Sequence, residues 1–438
     1  MKSIFKLLPA ALMGTCLAFG FTSCSDDETT GETSGTQLTA NEQLLQEVLA
    51  QNVAGTINPT YTALADSCDL LFEKLKEMKA ASRNNAVTDA MVAEACEIFL
   101  DARANYELSE AFLLGAADHF GIDPHIDSWP LDLNQLNNLL TSPKMLNPLD
   151  FENGDQEAED AAISNTTATL GNNLYGFHGI EFILFRDGAP RRGAELNANA
   201  YDTWNQDGND FTSVNGYSEL VYATAVAGDL RNSVFQMELS WNHNAADAHR
   251  SVLDRFEMNY SMDSGWSYGD NMVNAGSAQS SYSSVKSAVA AVLVGGKGAL
   301  GICDEVGNTK INNPFSGADP AYIESPYSHE SKTDFCNNIR SIENVWMGGR
   351  PESRNADKSF HAYFERYNPA INTQVETAIA NAKAKIMAIN GDGAFVDYIN
   401  AGPANVDGGR SGQEAIDACA ELSAALTAAN NFINSNQQ

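Results

Sequence analysis

Apolar residues recur at three- and four-residue spacing through most of this 438-residue chain, and alternating runs bounded by Asn-Gly or Asp-Gly are scarce. The pattern predicts an all-α protein. Thr39-Ala40-Asn41-Glu42 has the form of a capping box and opens a helix over residues 39–54. A second helix is expected over 59–81. Over 88–120, Met91, Ala95, Ile98, Phe99, Ala102, Leu113 and Ala116 make one apolar stripe, the mark of a long amphipathic helix that Gly115 weakens. Shorter helices are expected over 133–140 and 165–185. Pro190-Arg191-Arg192 and the polar run to Asp210 read as a junction. Beyond it the pattern predicts helices over 216–244, 246–260, 280–303, 332–346, 359–389 and 412–433, with a Gly-, Ser- and Asn-rich loop at 261–278. Two helical-bundle domains, 38–190 and 191–438, are the architecture this implies.

The first residues follow another rule. Lys2 and Lys6 precede a mostly apolar run over 7–21 that is short for a bilayer span and reads as a signal peptide over 1–23. It ends in Phe21-Thr22-Ser23-Cys24, which resembles the lipobox of bacterial lipoproteins, so Cys24 is the expected lipid anchor. Residues 24–37 are too polar to bury a core and are expected to be a flexible tether. Ser25-Asp26-Asp27-Glu28 resembles a surface-export signal of Gram-negative lipoproteins. The expected location is the cell envelope, at the outer membrane and facing outward, with the lipid as the only membrane attachment.

Charge narrows the partners. A formal net charge of -31 argues against nucleic acid, whose backbone is held by clustered Lys and Arg, and favours cations, although acidic surfaces also simply keep proteins soluble. The chain is long enough for two cores. Cys68, Cys96, Cys303, Cys336 and Cys419 show no Cys-x-x-Cys spacing and read as buried small residues with at most one disulfide among them. The apolar stretch 285–303 is interrupted by Gly295, Gly296, Lys297 and Gly298, so no second membrane segment is expected.

Candidate chemistry centres on Gly176-Phe177-His178-Gly179-Ile180-Glu181. A spacing of three puts His178 and Glu181 on one helical face, and imidazole with carboxylate suits iron or zinc. The surrounding helix is apolar on most sides, so Glu181 is expected to be buried and to need a cation, a metal or hydrogen-bond donors. A core ion pair is the competing explanation. Arg103, Glu107 and Glu110 share a face of the preceding long helix. Glu107 reads as a solvated partner of Arg103, whereas Glu110, followed by Ala111-Phe112-Leu113-Leu114, can point inward as a further carboxylate. Glu324-Ser325-Pro326-Tyr327-Ser328-His329, with Asp334 and Asn338 four apart, either lines a pocket or caps a helix.

Four separated motifs agree on a family: Gly-x-His-x-x-Glu at 176–181, the Arg103/Glu110 helix leading to Trp129-Pro130, Glu-Ser-Pro-Tyr-Ser at 324–328, and Ser-Ile-Glu-Asn-Val-Trp-Met-Gly-Gly at 341–349. Together they resemble the imelysin-like proteins over the chain from about residue 38. The resemblance implies two helical bundles with a pocket near their interface. It also implies an exported protein of iron acquisition, with an envelope uptake partner in some relatives and a peptidase name in others. As site residues it implies Arg103, Glu110, Trp129, His178, Glu181, Ser328, His329, Asp334 and Asn338. The expected function is binding of a metal ion or iron chelate, with iron or zinc held by His178, Glu181 and Glu110. A metal-dependent peptidase is the alternative, although His-Glu-x-x-His is missing from the sequence and no nucleophile signature stands out in it.

Overall fold

Thr39 caps its helix as the pattern predicts. Its hydroxyl accepts the Glu42 N–H at 3.4 Å, and its own N–H donates to Glu42 Oε2 at 2.9 Å. This computed structural model describes residues 38–206 and 208–436. The expected leader, Cys24 and the whole of the tether lie outside the described residues.

The described chain is predominantly helical, and its four strands are two residues each. Ala40–Asn52 runs through a π-helical turn, Val53–Ile57, into Asn58–Arg83, with Pro59 just after that turn. The helix expected to reach residue 120 ends at Glu107. A 3-10 turn, Glu110–Phe112, and Gly115 at φ 84° re-aim the chain before Ala116–His119. A side chain at Gly115 would meet the Tyr268 ring at 2.8 Å, so glycine serves both the turn and the close approach.

Three other expected helices are also divided. Gln156–Thr169 begins at the Asp155 cap and stops before Gly171, and Gly176–Leu184 is separate. Pro369 ends the run begun by Phe360–Tyr367, and Asn368 caps Pro369–Met387. The glycines at 295–298 part Val285–Val294 from Ala299–Glu305. Residues 285–316 are long and apolar enough by composition to cross a membrane. Here they are core: Val285, Ala288, Val289, Val292 and Leu293 are buried, and Val285–Val294 packs on Ala40–Asn52 and Arg410–Ser435.

Two groups of helices result. Gly216–Trp241 packs along Asn58–Arg83, with Asp89–Glu107 and Gln156–Thr169 around them. Ser331–Met347, Pro369–Met387 and Arg410–Ser435 form the centre of the second group. The junction expected at residue 190 is crossed by the first of these packings, and the described residues from Thr39 onward form one unit. Two small hairpins, Phe185–Arg186 with Ala189–Pro190 and Asn205–Gln206 with Asn209–Asp210, carry the chain from Leu184 to Gly216. The five cysteines among the described residues, Cys68, Cys96, Cys303, Cys336 and Cys419, are buried and free, as small core residues, and no disulfide joins them. Ser331–Met347 lies against Asp89–Glu107 and so joins the two groups. The candidate residues gather at that seam.

Candidate metal centre

Glycine places the histidine. Gly176 has φ 68°, and a Cβ there would lie 1.8 Å from the Ile126 carbonyl oxygen, so the helix can begin only if residue 176 has no side chain. At Gly179 a Cβ would come within 2.1 Å of the Tyr222 hydroxyl. These two approaches hold Gly176–Leu184 against the segment ending in Asp127 and against Gly216–Trp241. His178 then faces two carboxylates, Asp127 Oδ1 at 3.1 Å from Nε2 and Glu181 Oε2 at 3.3 Å from Nδ1.

Glu181 is buried, as its apolar helix predicts. Its other oxygen accepts the Tyr327 and Ser328 N–H groups at 3.0 and 2.8 Å and the Ser328 hydroxyl at 2.8 Å. It therefore fixes the 324–329 loop to the histidine helix. Ser325 and His329 on that loop adopt φ of 50° and 65°, strained values for non-glycine residues. The tie to Glu181 is one of the contacts that hold them there.

Arg103 occupies the middle of the seam, almost fully buried. Its guanidinium meets Asp127, Glu107 at 2.6 Å, Glu324 at 2.5 Å and Asp334 at 3.7 Å. Glu107 is fully buried rather than solvated, because Ser331–Met347 covers that face of its helix, where Asn338 donates an amide hydrogen bond to it. The Arg103 pairing itself is present. Lys310, buried on the π-helical turn Val306–Ile311, is the second cation: it lies 3.1 Å from Glu324, 3.8 Å from Glu107 and 3.9 Å from Glu110, and 5.2 Å from the centre of the Trp129 ring.

Six buried carboxylates, Glu107, Glu110, Asp127, Glu181, Glu324 and Asp334, thus face Arg103, Lys310 and His178. The imbalance displaces their proton affinities. Burial, only partly opposed by Lys310, raises Glu110 well above the carboxylate range. Burial likewise raises Asp334 and pushes Glu324 up to about 7. Asp127 is also buried, yet Arg103 and His178 together hold it below its ordinary value. Burial disfavours the His178 cation, but its hydrogen bonds to Asp127 and Glu181 outweigh burial and bring it up to about 9.

Two groups of buried ligand atoms lie within 4.8 Å of one another: Asp127, His178 and Glu324, and Glu107, Glu110 and Asp127. Asp127 belongs to both. Carboxylate oxygen and imidazole nitrogen suit iron and zinc, and Glu324 Oε2 has no hydrogen-bond partner. The residues present therefore fit a divalent cation. It would compete with Arg103 and Lys310 for Asp127 and Glu324, and it would displace a proton from His178.

All nine expected site residues gather around this seam. The Trp129 ring lies 5.8 Å from the His178 ring and tilted to it, Ser328 binds Glu181, Asp334 accepts the Ser325 hydroxyl at 2.5 Å, and Asn338 holds Glu107. Among the described residues no hydrogen bond or ion pair joins Glu110 to His178; Glu110 lies toward Lys310. His329, with Trp129, Trp204, Tyr327 and His178, lines a cavity of about 700 Å³. Sequence reading did not select Asp127 or Lys310. The signals were faint: an Asp two residues before Trp129-Pro130, and a lysine between Thr309 and Ile311 in a mostly polar stretch.

Two helical groups closed over a buried imidazole and carboxylate centre define the class of protein. The sequence model of the imelysin family matches residues 57–426, and the chain belongs to that family. It is similar to iron-regulated protein A of Synechococcus elongatus, with 24% identity over 356 residues, 81% of this chain and 77% of that protein. A crystal structure from Parabacteroides distasonis, assigned as an iron-regulated protein A precursor, superposes with a TM-score of 0.67 at 25% identity over 91% of this chain and 96% of that one. An imelysin-like protein of Psychrobacter arcticum shares the fold, with TM-score 0.54 at 12% identity over 88% and 93% of the two chains.

Proposed function

We propose that this protein binds a metal cation, iron in its biological setting, at Asp127, His178 and Glu324, as an exported lipoprotein of iron acquisition anchored through Cys24. The observation that carries the reading is the excess of buried carboxylate over buried cation at the seam, with Glu324 Oε2 left without a hydrogen-bond partner. An unpaired buried carboxylate is costly, and either a proton or a metal ion relieves it. The names of the relatives record regulation by iron, which supports iron over zinc as the cargo. The aromatic cavity beside His178 gives such a cargo, bare or chelated, a way in.

In this reading Glu181 holds the loop and orients the imidazole, and Glu107 and Glu110 form a second carboxylate group sharing Asp127. The lipobox-like segment and acidic tether support delivery to the envelope, where an uptake partner would receive the metal. Calorimetric titration of the protein with ferrous iron and with zinc tests the binding claim. Saturable binding that weakens at least a hundredfold in the Asp127→Asn, His178→Ala double variant is expected; equal affinity in the two proteins contradicts it. Chelator-sensitive cleavage of unfolded protein substrates would instead support the peptidase alternative.

A further inference from the structure

The helix Gly216–Trp241 is buried on nearly every side, yet it carries a polar stripe. Asp229, Asn232, Ser233 and Gln236 recur at the spacing of one helical face, and their exposures are only 4%, 3%, 6% and 8%. They line a cavity of about 470 Å³, within the range of small-molecule sites, whose apolar wall includes Phe120, Phe256 and Met258. Among the described residues this cavity shares no lining residue with the one beside His178. Buried polar side chains normally find partners, so the bonding these leave incomplete is open to water or to a ligand in the cavity.

The existing hydrogen bonds determine what each side chain has left to offer. Arg231 donates to Asn232 Oδ1 at 3.2 and 3.0 Å, so the Asn232 amide hydrogens remain. Gln236 donates its own amide to the Asn259 carbonyl at 2.7 Å, so its carbonyl oxygen remains. Among the described residues the Ser233 hydroxyl has no hydrogen-bond partner. The His125 ring pairs through Nε2 with Asp229 Oδ2 at 2.6 Å, and Thr167 donates to Asp229 Oδ1 at 2.6 Å. Asp229 is thereby occupied on both oxygens, and no Lys or Arg lines the cavity. What remains is a donor, an acceptor and a hydroxyl able to do both, beside apolar aromatic surface.

We infer that this cavity is a second binding site, for a small uncharged molecule carrying several hydroxyl or amide groups and one apolar face, the chemistry of a sugar ring or cyclic polyol. Such a ligand satisfies the donor, the acceptor and the hydroxyl at once, whereas a free carboxylate finds no Lys or Arg on the wall and faces Asp229. Burial of its apolar face against Phe120 and Phe256 supplies the remaining affinity.

Ligand-observed NMR and calorimetry on the full chain test this, with glucose, galactose, N-acetylglucosamine and myo-inositol as neutral probes and glucuronate and glucosamine as charged ones. Saturable binding of at least one neutral probe is expected. Ala168 lies exposed on the cavity lining, so Ala168→Trp should obstruct the cavity and weaken that binding at least tenfold without lowering Tm. Ser233→Ala should weaken it several-fold, and His178→Ala should leave it unchanged. No saturable binding of any neutral probe, binding of the charged probes alone, or full affinity in Ala168→Trp would overturn the proposal.

Discussion

Replacing Arg103 by Met keeps the length of the side chain and removes the one cation that touches four carboxylates. In Arg103→Met, Lys310 still answers Glu324 and Glu107, but Asp127 retains only His178 and Asp334 retains only the Ser325 hydroxyl. Removing one partner of a buried ion pair costs about 3–5 kcal/mol, and the larger figure applies here because several acids share the loss. The variant should therefore lose about 5 kcal/mol of unfolding free energy at pH 8. Part of that loss should return at pH 5, where protons can neutralise the stranded carboxylates. Urea unfolding followed by far-ultraviolet circular dichroism at both pH values reads the difference. A loss below about 1 kcal/mol, or the same loss at both pH values, would refute the view that Arg103 is the electrostatic centre of the seam.

Further outcomes follow from the same geometry. The metal-free protein should lose stability as pH rises: Glu324 at about 7 and His178 at about 9 both lie above their ordinary values of 4.5 and 6.5, so their stabilising protons are lost over pH 4.5–7 and 6.5–9 respectively, and thermal melts from pH 5 to 9 will show this as a falling Tm. Metal affinity should rise over the same interval, because a cation replaces the proton on His178; titrations at pH 6, 7 and 8 in one buffer system check the slope. Glu181→Ala should cost about 3–5 kcal/mol and raise hydrogen exchange at the Tyr327 and Ser328 amides, whose acceptor it removes. Gly176→Ala should abolish the native fold or shift the His178 helix, since Ile126 blocks any Cβ, and near-ultraviolet circular dichroism reports either result. Labelled palmitate should enter the protein in a bacterial host and fail to enter Cys24→Ser.

The helical class and most of the helix positions were legible in apolar spacing, because helices such as Ser331–Met347 and Arg410–Ser435 carry their own period and their own ends. The breaks were harder to read. Nothing local distinguishes Gly115 in a helix from Gly115 at a turn; the Tyr268 ring that requires it is 153 residues away in sequence. At the site, His178 and Glu181 stood out because a carboxylate in an apolar helix demands a partner. Asp127 and Lys310 did not, since the partners that bury them, Arg103, His178 and Glu324, come from other elements. Glu107 shows the limit most directly: its pairing with Arg103 is local and readable, but its burial comes from Ser331–Met347, more than two hundred residues later. The family resemblance bridged part of that distance by joining motifs that spacing alone leaves separate.

The most direct test of the account is a crystal of the protein soaked in ferrous iron under anaerobic conditions, with an anomalous difference map recorded at the iron edge. The account predicts one strong peak within bonding distance of Asp127, His178 and Glu324. An empty seam at saturating iron, or a peak confined to surface carboxylates, would contradict it.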